Sequence, residues 1–133
     1  MPGKAVAVNS GLMLRNQVID LGRKLGLEAK TEVKVGRRIW GAIRRIDVVL
    51  VQRETRQSLG IECKYQSKQG TAEEKIPATI QDIRTWPIRG IVVFAGEGFT
   101  DNMRSFLYST GLAVEFVDLE SWLSLFFGIE NTE

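Results

Sequence analysis

The chain has 133 residues, of which 44% are hydrophobic and 26% are charged, and its net charge is +2. This composition is typical of one soluble globular domain with its own core. Histidine is absent and Cys63 is the single cysteine, which excludes histidine acid–base catalysis, histidine metal ligands, histidine-based catalytic triads, disulfides within the chain and thiolate zinc clusters.

Cysteine usage and hydropathy also bear on where the protein works. One cysteine fits a reducing cytoplasm, and the N-terminus lacks the long apolar segment of a secretory signal. No apolar run approaches the roughly 20 residues needed to cross a bilayer. We therefore expect a cytoplasmic protein without membrane contact. Because histidine is absent, a bound metal would rely mainly on oxygen ligands, which favours Mg²⁺ or Mn²⁺.

Residues 11–25 are predicted to form the first helix. Ser10 is a suitable N-cap, and Gly26 is a suitable stop. Apolar residues recur at helical spacing, namely Leu14, Val18, Leu21 and Leu25. The helix is therefore expected to be amphipathic.

Three strands are predicted next, at residues 28–38, 44–52 and 57–66. The first alternates polar and apolar side chains, as a half-exposed strand does. The second is apolar on both faces after Ile46, which is the pattern of a central strand. The third contains the charged residues Glu62 and Lys64 within an otherwise apolar segment, and core packing alone does not explain their presence.

Helices and strands alternate in the second half. A helix at 71–86 is disturbed or delayed by Pro77. The remaining predicted elements are a buried strand at 89–98, a helix capped by Thr100 and Gly111, a strand at 112–119 and a short apolar helix at 120–128. The order α-β-β-β-α-β-α-β-α, with hairpins first and β-α-β afterwards, predicts an α/β domain: a mixed β-sheet with helices on both faces, formed by residues 1–133 as a single domain.

A hairpin between the second and third strands would bring charged residues together. If residues 53–56 form its loop, Asp47 lies opposite Glu62 and Arg45 lies opposite Lys64. Directly opposed side chains have Cβ atoms about 5 Å apart, and like charges there are destabilising. A divalent metal between the carboxylates, or the Lys64 ammonium, would relieve this repulsion. A slip of one residue would instead put Asp47 and Glu62 on opposite faces.

The segments "RRIDVVLV" and "LGIECKYQ" resemble the motif of the PD-(D/E)XK nuclease superfamily, which has the restriction-endonuclease-like fold. The resemblance covers residues 10–95 and includes the α-β-β-β-α-β order of the family core. It implies that Asp47 is the motif aspartate, Glu62 the second acid and Lys64 the lysine. A gap of fourteen residues separates Asp47 from the Glu-x-Lys triplet.

The resemblance also implies a chemistry. Asp47 and Glu62, with the carbonyl of Cys63, would bind Mg²⁺ or Mn²⁺, which lowers the pKa of bound water and neutralises charge on a phosphate. Lys64 would orient or help activate the attacking water, or stabilise the charge that develops on the phosphate. The implied activity is metal-dependent hydrolysis of phosphodiester bonds in DNA.

Two expectations concern further site residues. Many members of the superfamily carry a glutamate on the first helix, but the corresponding helix here offers only Asn16, Gln17 and Asp20. Some members use a glutamine on the helix after the Glu-x-Lys strand, for which Gln81 is the candidate, with Gln66 as a second one.

Basic and aromatic residues near the motif have two interpretations each. Four arginines are expected either to contact DNA phosphates or to form a solvated hairpin, namely Arg37, Arg38, Arg44 and Arg45. Trp40 between them would stack on a base or pack in a core or an interface. Four other aromatic residues are expected in the core or in a dimer contact, namely Trp86, Trp122, Phe126 and Phe127.

The sequence therefore predicts a metal-dependent DNA endonuclease of the restriction, homing, junction-resolving or repair type. Because one active site per chain cuts one strand, we expect a homodimer or higher homo-oligomer. The alternatives are a catalytically inactive DNA-binding or assembly protein of the same fold, and an RNA-directed nuclease.

Overall fold

The computed structural model of the protein describes residues 10–37, 43–68 and 75–130. Within these ranges, no helix is long and apolar enough to cross a membrane. The element order confirms the predicted succession. The elements are α1 (Gly11–Lys24), β1 (Glu28–Arg37), β2 (Ile43–Gln52), β3 (Gln57–Tyr65), α2 (Ile76–Arg84), β4 (Arg89–Ala95), α3 (Asp101–Thr110), β5 (Ala113–Glu115) and α4 (Leu119–Phe127).

The five strands form one mixed sheet in the order β1-β2-β3-β4-β5. The strands β1, β2 and β3 pair in antiparallel fashion, as consecutive hairpins do. The pairs β3–β4 and β4–β5 are parallel, because α2 and α3 each carry the chain back across the sheet. The predicted mixed sheet is confirmed.

Local signals in the sequence set several helix ends. The Ser10 side chain accepts a hydrogen bond from the Met13 N–H at 3.1 Å, so it caps α1 as predicted. Gly26 follows α1 with a φ of 86°, a conformation that favours glycine. Pro77 lies in the first turn of α2, where its missing N–H costs no helical hydrogen bond. The helix therefore begins at Ile76, as expected from a proline that delays it.

Each face of the sheet is covered by a pair of helices. The first core contains α1 and α4 packed on one face, and its fully buried members include Leu14, Leu50, Leu59, Ile61 and Leu123. The second core contains α2 and α3 packed on the other face, and its members include Ile46, Val49, Ile80, Phe94 and Trp86. The expectation that Trp86 is buried in a core is therefore confirmed.

The last strand is shorter than the predicted 112–119. It spans Ala113–Glu115 and is followed by a 3₁₀ turn at Phe116–Asp118. Its pairing partner β4 ends at Ala95, and Gly96, with a φ of 108°, turns the chain away. The ladder between β4 and β5 ends at the Phe94–Glu115 pair, one residue before β4 ends.

Candidate active site

The hairpin of β2 and β3 has the predicted register. Val48 pairs with Ile61, and residues 53–56 form the turn. The regular pairing ends at Val48–Ile61, one step before Asp47 and Glu62 would pair. The motif acids therefore lie where the hairpin opens.

The two strands part at the motif because each keeps its other neighbour. Ile46 stays paired with β1, and Glu62 stays paired with β4. Hydrogen bonds from a backbone N–H to a carboxylate bridge the gap, in place of hydrogen bonds between two backbone groups. The Asp47 N–H donates to the Glu62 Oε1 at 3.1 Å, and the Cys63 N–H donates to the Asp47 Oδ2 at 3.0 Å. These two hydrogen bonds hold both carboxylates at the opening.

The alternation of side chains along β2 breaks at Asp47. Ile46 packs in the second core, whereas Val48 packs in the first core. A regular strand would place both residues on the same face. The neighbouring strand β1 is irregular at the same level. Thr31 pairs with Val48 and Val33 pairs with Ile46, while Glu32 between them has a φ of 53°. Asp47 is thus placed by a local distortion of the sheet.

This distortion distributes the motif residues between two cavities. Asp47 and Cys63 line a cavity of about 270 Å³ beside the N-terminal turn of α1. Glu62 and Lys64 line a cavity of about 80 Å³ beside α2. The expected shared face of Glu62 and Lys64 agrees with this arrangement. Asp47 lies across the gap from Glu62, as the predicted register requires, but the two side chains line different cavities.

Glu62 is in an environment that disfavours its charge. Burial, followed by the nearby Asp47 carboxylate, raises its pKa from 4.5 to about 7. The hydrogen bond from the Asp47 N–H and the Lys64 ammonium act in the opposite direction but do not compensate. A cation bound at the opening of the hairpin would offset the cost of the charged Glu62 carboxylate.

The donor atoms at this opening fit a hard divalent cation such as Mg²⁺ or Mn²⁺. Two carboxylates are available, and such ions prefer oxygen ligands. Burial and the Asp47 carboxylate raise the pKa of the Cys63 thiol, so its sulfur stays protonated and is a poor metal ligand. Among the described residues, no three acidic or cysteine side chains form a group that could hold a metal. Backbone carbonyls or water would have to complete the coordination.

The cavity beside α2 includes residues that the sequence reasoning missed. Thr79 and Asp82 line it together with Trp86. Thr79 and Asp82 are three residues apart on one face of α2, and this spacing was the available signal, whereas Trp86 follows the end of the helix. Gln81, the predicted glutamine, is exposed on α2 and is not among the residues that line the cavity.

The other predicted residues fall in different places. Arg44 is half-buried and forms an ion pair with Asp82 at 3.4 Å, whereas Arg45 is exposed. Both arginines line the cavity beside α2. The side chain of Arg37, all of Arg38 and Trp40 lie outside the described residues.

The first helix, which lacks the glutamate that many members carry, contributes a cation to the site. Asn16 and Asp20 are exposed, and Gln17 is half-buried, but none of them lines either cavity. Arg15 lines the cavity beside Asp47, and its NH1 lies 3.1 Å from the Glu32 carboxylate. Gln66, the second glutamine candidate, is buried directly after β3.

A family model matches residues 6–120, and its description is "PD-(D/E)XK nuclease superfamily domain". The chain belongs to the PD-(D/E)XK nuclease superfamily. This match extends beyond the segment on which the resemblance was based and includes α3 and β5. A search of curated proteins finds no match.

Two solved structures with TM-scores above 0.5 agree with this fold. A protein of unknown function, AF1548, has a TM-score of 0.53 and 19% identity, with 76% of this chain and 54% of that one covered. Protein VC1899 from Vibrio cholerae has a TM-score of 0.52 and 13% identity, with 88% and 33% covered. A repair endonuclease from Pyrococcus abyssi has a TM-score of 0.44 and 12% identity, with 82% and 47% covered. The chain thus spans about half or less of the length of these structures.

Proposed function

We propose that this domain is a divalent-metal-dependent endonuclease that hydrolyses phosphodiester bonds in DNA. The observation that carries the proposal is the opening of the β2–β3 hairpin at Asp47 and Glu62. There, two carboxylates are held by hydrogen bonds from the opposite strand, and Lys64 lines the same cavity as Glu62. The family match supports the same activity.

Each motif residue has a proposed role. Asp47 and Glu62, with the Cys63 carbonyl, would hold Mg²⁺ or Mn²⁺, which when bound lowers the pKa of water and neutralises phosphate charge. Lys64 orients the attacking water or donates a hydrogen bond to a charged phosphate oxygen. The Cys63 side chain packs against the first core and anchors β3. Gln81 keeps its proposed catalytic role only if DNA contacts the exposed face of α2.

The proposed partners are DNA and further copies of this chain. Arg44 and Arg45 flank the motif and would contact backbone phosphates, together with Arg37 and Arg38. Cleavage of both strands would require two copies, related by two-fold symmetry. On α4, Leu125 is 86% exposed, which makes this helix a reasonable contact between copies.

A catalytically inactive DNA-binding protein is the second candidate. The observation that favours it is Arg15, a cation that lines the Asp47 cavity from the helix on which many relatives are expected to carry a glutamate. A guanidinium there would compete with a metal for the Asp47 carboxylate. Under this alternative, the domain binds DNA through its basic residues and does not cleave it.

Plasmid cleavage separates these candidates. Wild-type protein, Asp47→Asn and Lys64→Ala are incubated with supercoiled DNA and Mg²⁺ or Mn²⁺, and Glu54→Gln, in the exposed hairpin turn, serves as a control. We expect cleavage by the wild type and the control, a loss of at least 100-fold in the two motif variants, and no cleavage with EDTA. Binding without cleavage favours the inactive protein, and equal cleavage by all four proteins refutes the assigned site. A parallel RNA substrate tests the RNA-directed alternative, and mapping the products identifies the type of endonuclease.

A further inference from the structure

Another cavity lies at the turn of the β2–β3 hairpin, at the opposite end of β2 from Asp47. It has a volume of about 390 Å³ and is lined by Glu28, Lys30, Val51, Arg53 and Arg56. We call it the turn cavity. It contains none of the motif residues and is larger than either cavity at the motif. Its volume falls within the roughly 300–1,000 Å³ of sites that hold small ligands.

The turn cavity is positively charged. Three cationic side chains and one acidic side chain line it, so their formal charges sum to +2. The acid is already engaged, because the Glu28 carboxylate accepts a hydrogen bond from the Arg53 Nε–H. Lys30 and Arg56 are exposed, and neither forms an ion pair within the described residues. A cleft with an excess of one sign of charge attracts ligands of the other sign.

The backbone of Arg56 is in a conformation that disfavours a long side chain. Its φ is 64°, in the left-handed region that glycine adopts readily. The turn itself is held by other groups: the Arg56 N–H donates to the Gln52 carbonyl at 2.8 Å, and the Gln57 N–H donates to the Thr55 Oγ1 at 3.1 Å. Glycine would form the same turn at lower cost, so the turn does not account for an arginine. An unfavourable φ of this kind indicates a role for the side chain.

The turn cavity lies on the same face of the sheet as the cavity beside α2. Val51 packs against the second core, which is the core that α2 and α3 cover. Two half-buried valines of β1, Val33 and Val35, pack against the same core. The nearby acid of β1, Glu32, instead pairs with Arg15 of α1, which lies over the opposite face. The path between the two cavities is therefore apolar rather than acidic.

The distance along this path corresponds to a short stretch of nucleic acid. Arg53 is six residues after Asp47, and at roughly 3.3 Å per residue of a strand the separation is about 20 Å. One strand of a duplex advances about 3.4 Å per nucleotide. A strand that lies along β2 would therefore reach the turn cavity about six nucleotides from the motif.

We infer that the turn cavity is a second, remote contact for nucleic acid, in which Lys30 and Arg56 bind backbone phosphates about six nucleotides from the cleaved bond. Glu28 is a positioning residue that holds the Arg53 guanidinium. Because this contact is far from the motif, it sets a minimum length for tight binding. The inference rests on the proposed function for its substrate class.

The first test measures DNA binding without cleavage, by fluorescence anisotropy in EDTA at several salt concentrations. Lys30→Gln and Arg56→Gly should each reduce the slope of the logarithm of affinity against the logarithm of salt concentration by about one unit. Arg23→Gln, at an exposed arginine of α1, is the control and should keep the wild-type slope. An unchanged slope in Lys30→Gln or Arg56→Gly, or an equal decrease in Arg23→Gln, overturns the inference.

Arg56→Gly also separates binding from folding. Glycine suits a φ of 64°, so this variant should be at least as stable as the wild type in thermal unfolding. A purely structural arginine would not produce a variant that keeps its stability and loses affinity for DNA.

The second test varies the length of the DNA. The ratio of affinities for duplexes of about 20 and about 5 base pairs should be larger for the wild type than for the Lys30→Gln/Arg56→Gly double variant, because only the longer duplex reaches both the motif and the turn cavity. Equal ratios overturn the inference.

The inference and the proposed function fail separately. If the wild type cleaves plasmid and the double variant binds DNA as tightly as the wild type, the remote contact is refuted while the nuclease stands. If the wild type never cleaves nucleic acid but the double variant loses affinity for DNA, the nuclease is refuted while the remote contact stands. If the double variant keeps its affinity for DNA but loses binding to poly-glutamate, the partner is an acidic polypeptide and the inference is overturned.

Discussion

Glu62→Gln is predicted to stabilise the metal-free protein at neutral and alkaline pH. Glutamine has almost the same shape and retains an oxygen that can accept the hydrogen bond from the Asp47 N–H. It removes the charge that burial and Asp47 disfavour. The variant therefore separates the electrostatic cost of the carboxylate from its contribution to packing.

The magnitude follows from the raised pKa of Glu62. In the folded protein this pKa is about 7, against an ordinary value of 4.5, and the difference corresponds to about 3 kcal/mol. Between these values the folded state binds more protons than the unfolded state, so the free energy of unfolding of the wild type falls as the pH rises. The full cost is present above the folded pKa and absent well below 4.5. For a domain of this length, it corresponds to a difference in Tm of about 10 °C.

Urea unfolding of wild type and Glu62→Gln between pH 4 and pH 9, with EDTA present, measures this cost. The two curves should nearly coincide at the acidic end and diverge to about 3 kcal/mol at pH 8. Glu97→Gln, at an exposed carboxylate elsewhere, should follow the wild type. A difference between wild type and Glu62→Gln that is equal at pH 5 and pH 8 would refute the reasoning. Addition of Mg²⁺ at pH 8 should stabilise the wild type and leave Glu62→Gln almost unchanged.

Three further predictions concern the scaffold and DNA binding. In thermal unfolding, Gly98→Ala should destabilise the protein by about 2–4 kcal/mol, because the new Cβ would lie 2.4–2.6 Å from the backbone of Lys68. The control Gly11→Ala, whose Cβ meets nothing within 4 Å, should be neutral or slightly stabilising. Ser10→Ala should cost about 1 kcal/mol in urea unfolding, since a first-turn N–H of α1 loses its acceptor. Arg45→Gln should reduce the slope of the logarithm of DNA affinity against the logarithm of salt concentration by about one unit, measured by fluorescence anisotropy. An unchanged slope, or an equal change in the exposed Arg23→Gln, would contradict a phosphate contact at Arg45.

The sequence predicted the fold well because its local signals agree with one another. Ser10, Gly26 and Pro77 mark helix ends through effects that operate within a few residues. The apolar run of β2 required a central position, and the alternation of β1 required an outer one, so the hairpin order followed. The predicted length of β5 was wrong, because only three residues pair with β4 before a 3₁₀ turn begins at Phe116.

The sequence by itself also grouped Asp47, Glu62 and Lys64, since charged residues in apolar strands need a reason beyond packing. Their detailed arrangement required the tertiary structure. Asp47 leaves the regular alternation because β2 stays paired with β1 while β3 stays paired with β4, and the gap between the strands opens at that point.

The cavity around Glu62 and Lys64 is likewise a product of the tertiary structure. Asp82 and Trp86 reach it because the crossover between the parallel strands β3 and β4 lays α2 across that face of the sheet. The spacing of Thr79 and Asp82 is compatible with one face of α2, but it does not reveal what that face meets. Strand patterns are determined by neighbours along the chain, whereas a site made from several elements depends on how those elements pack.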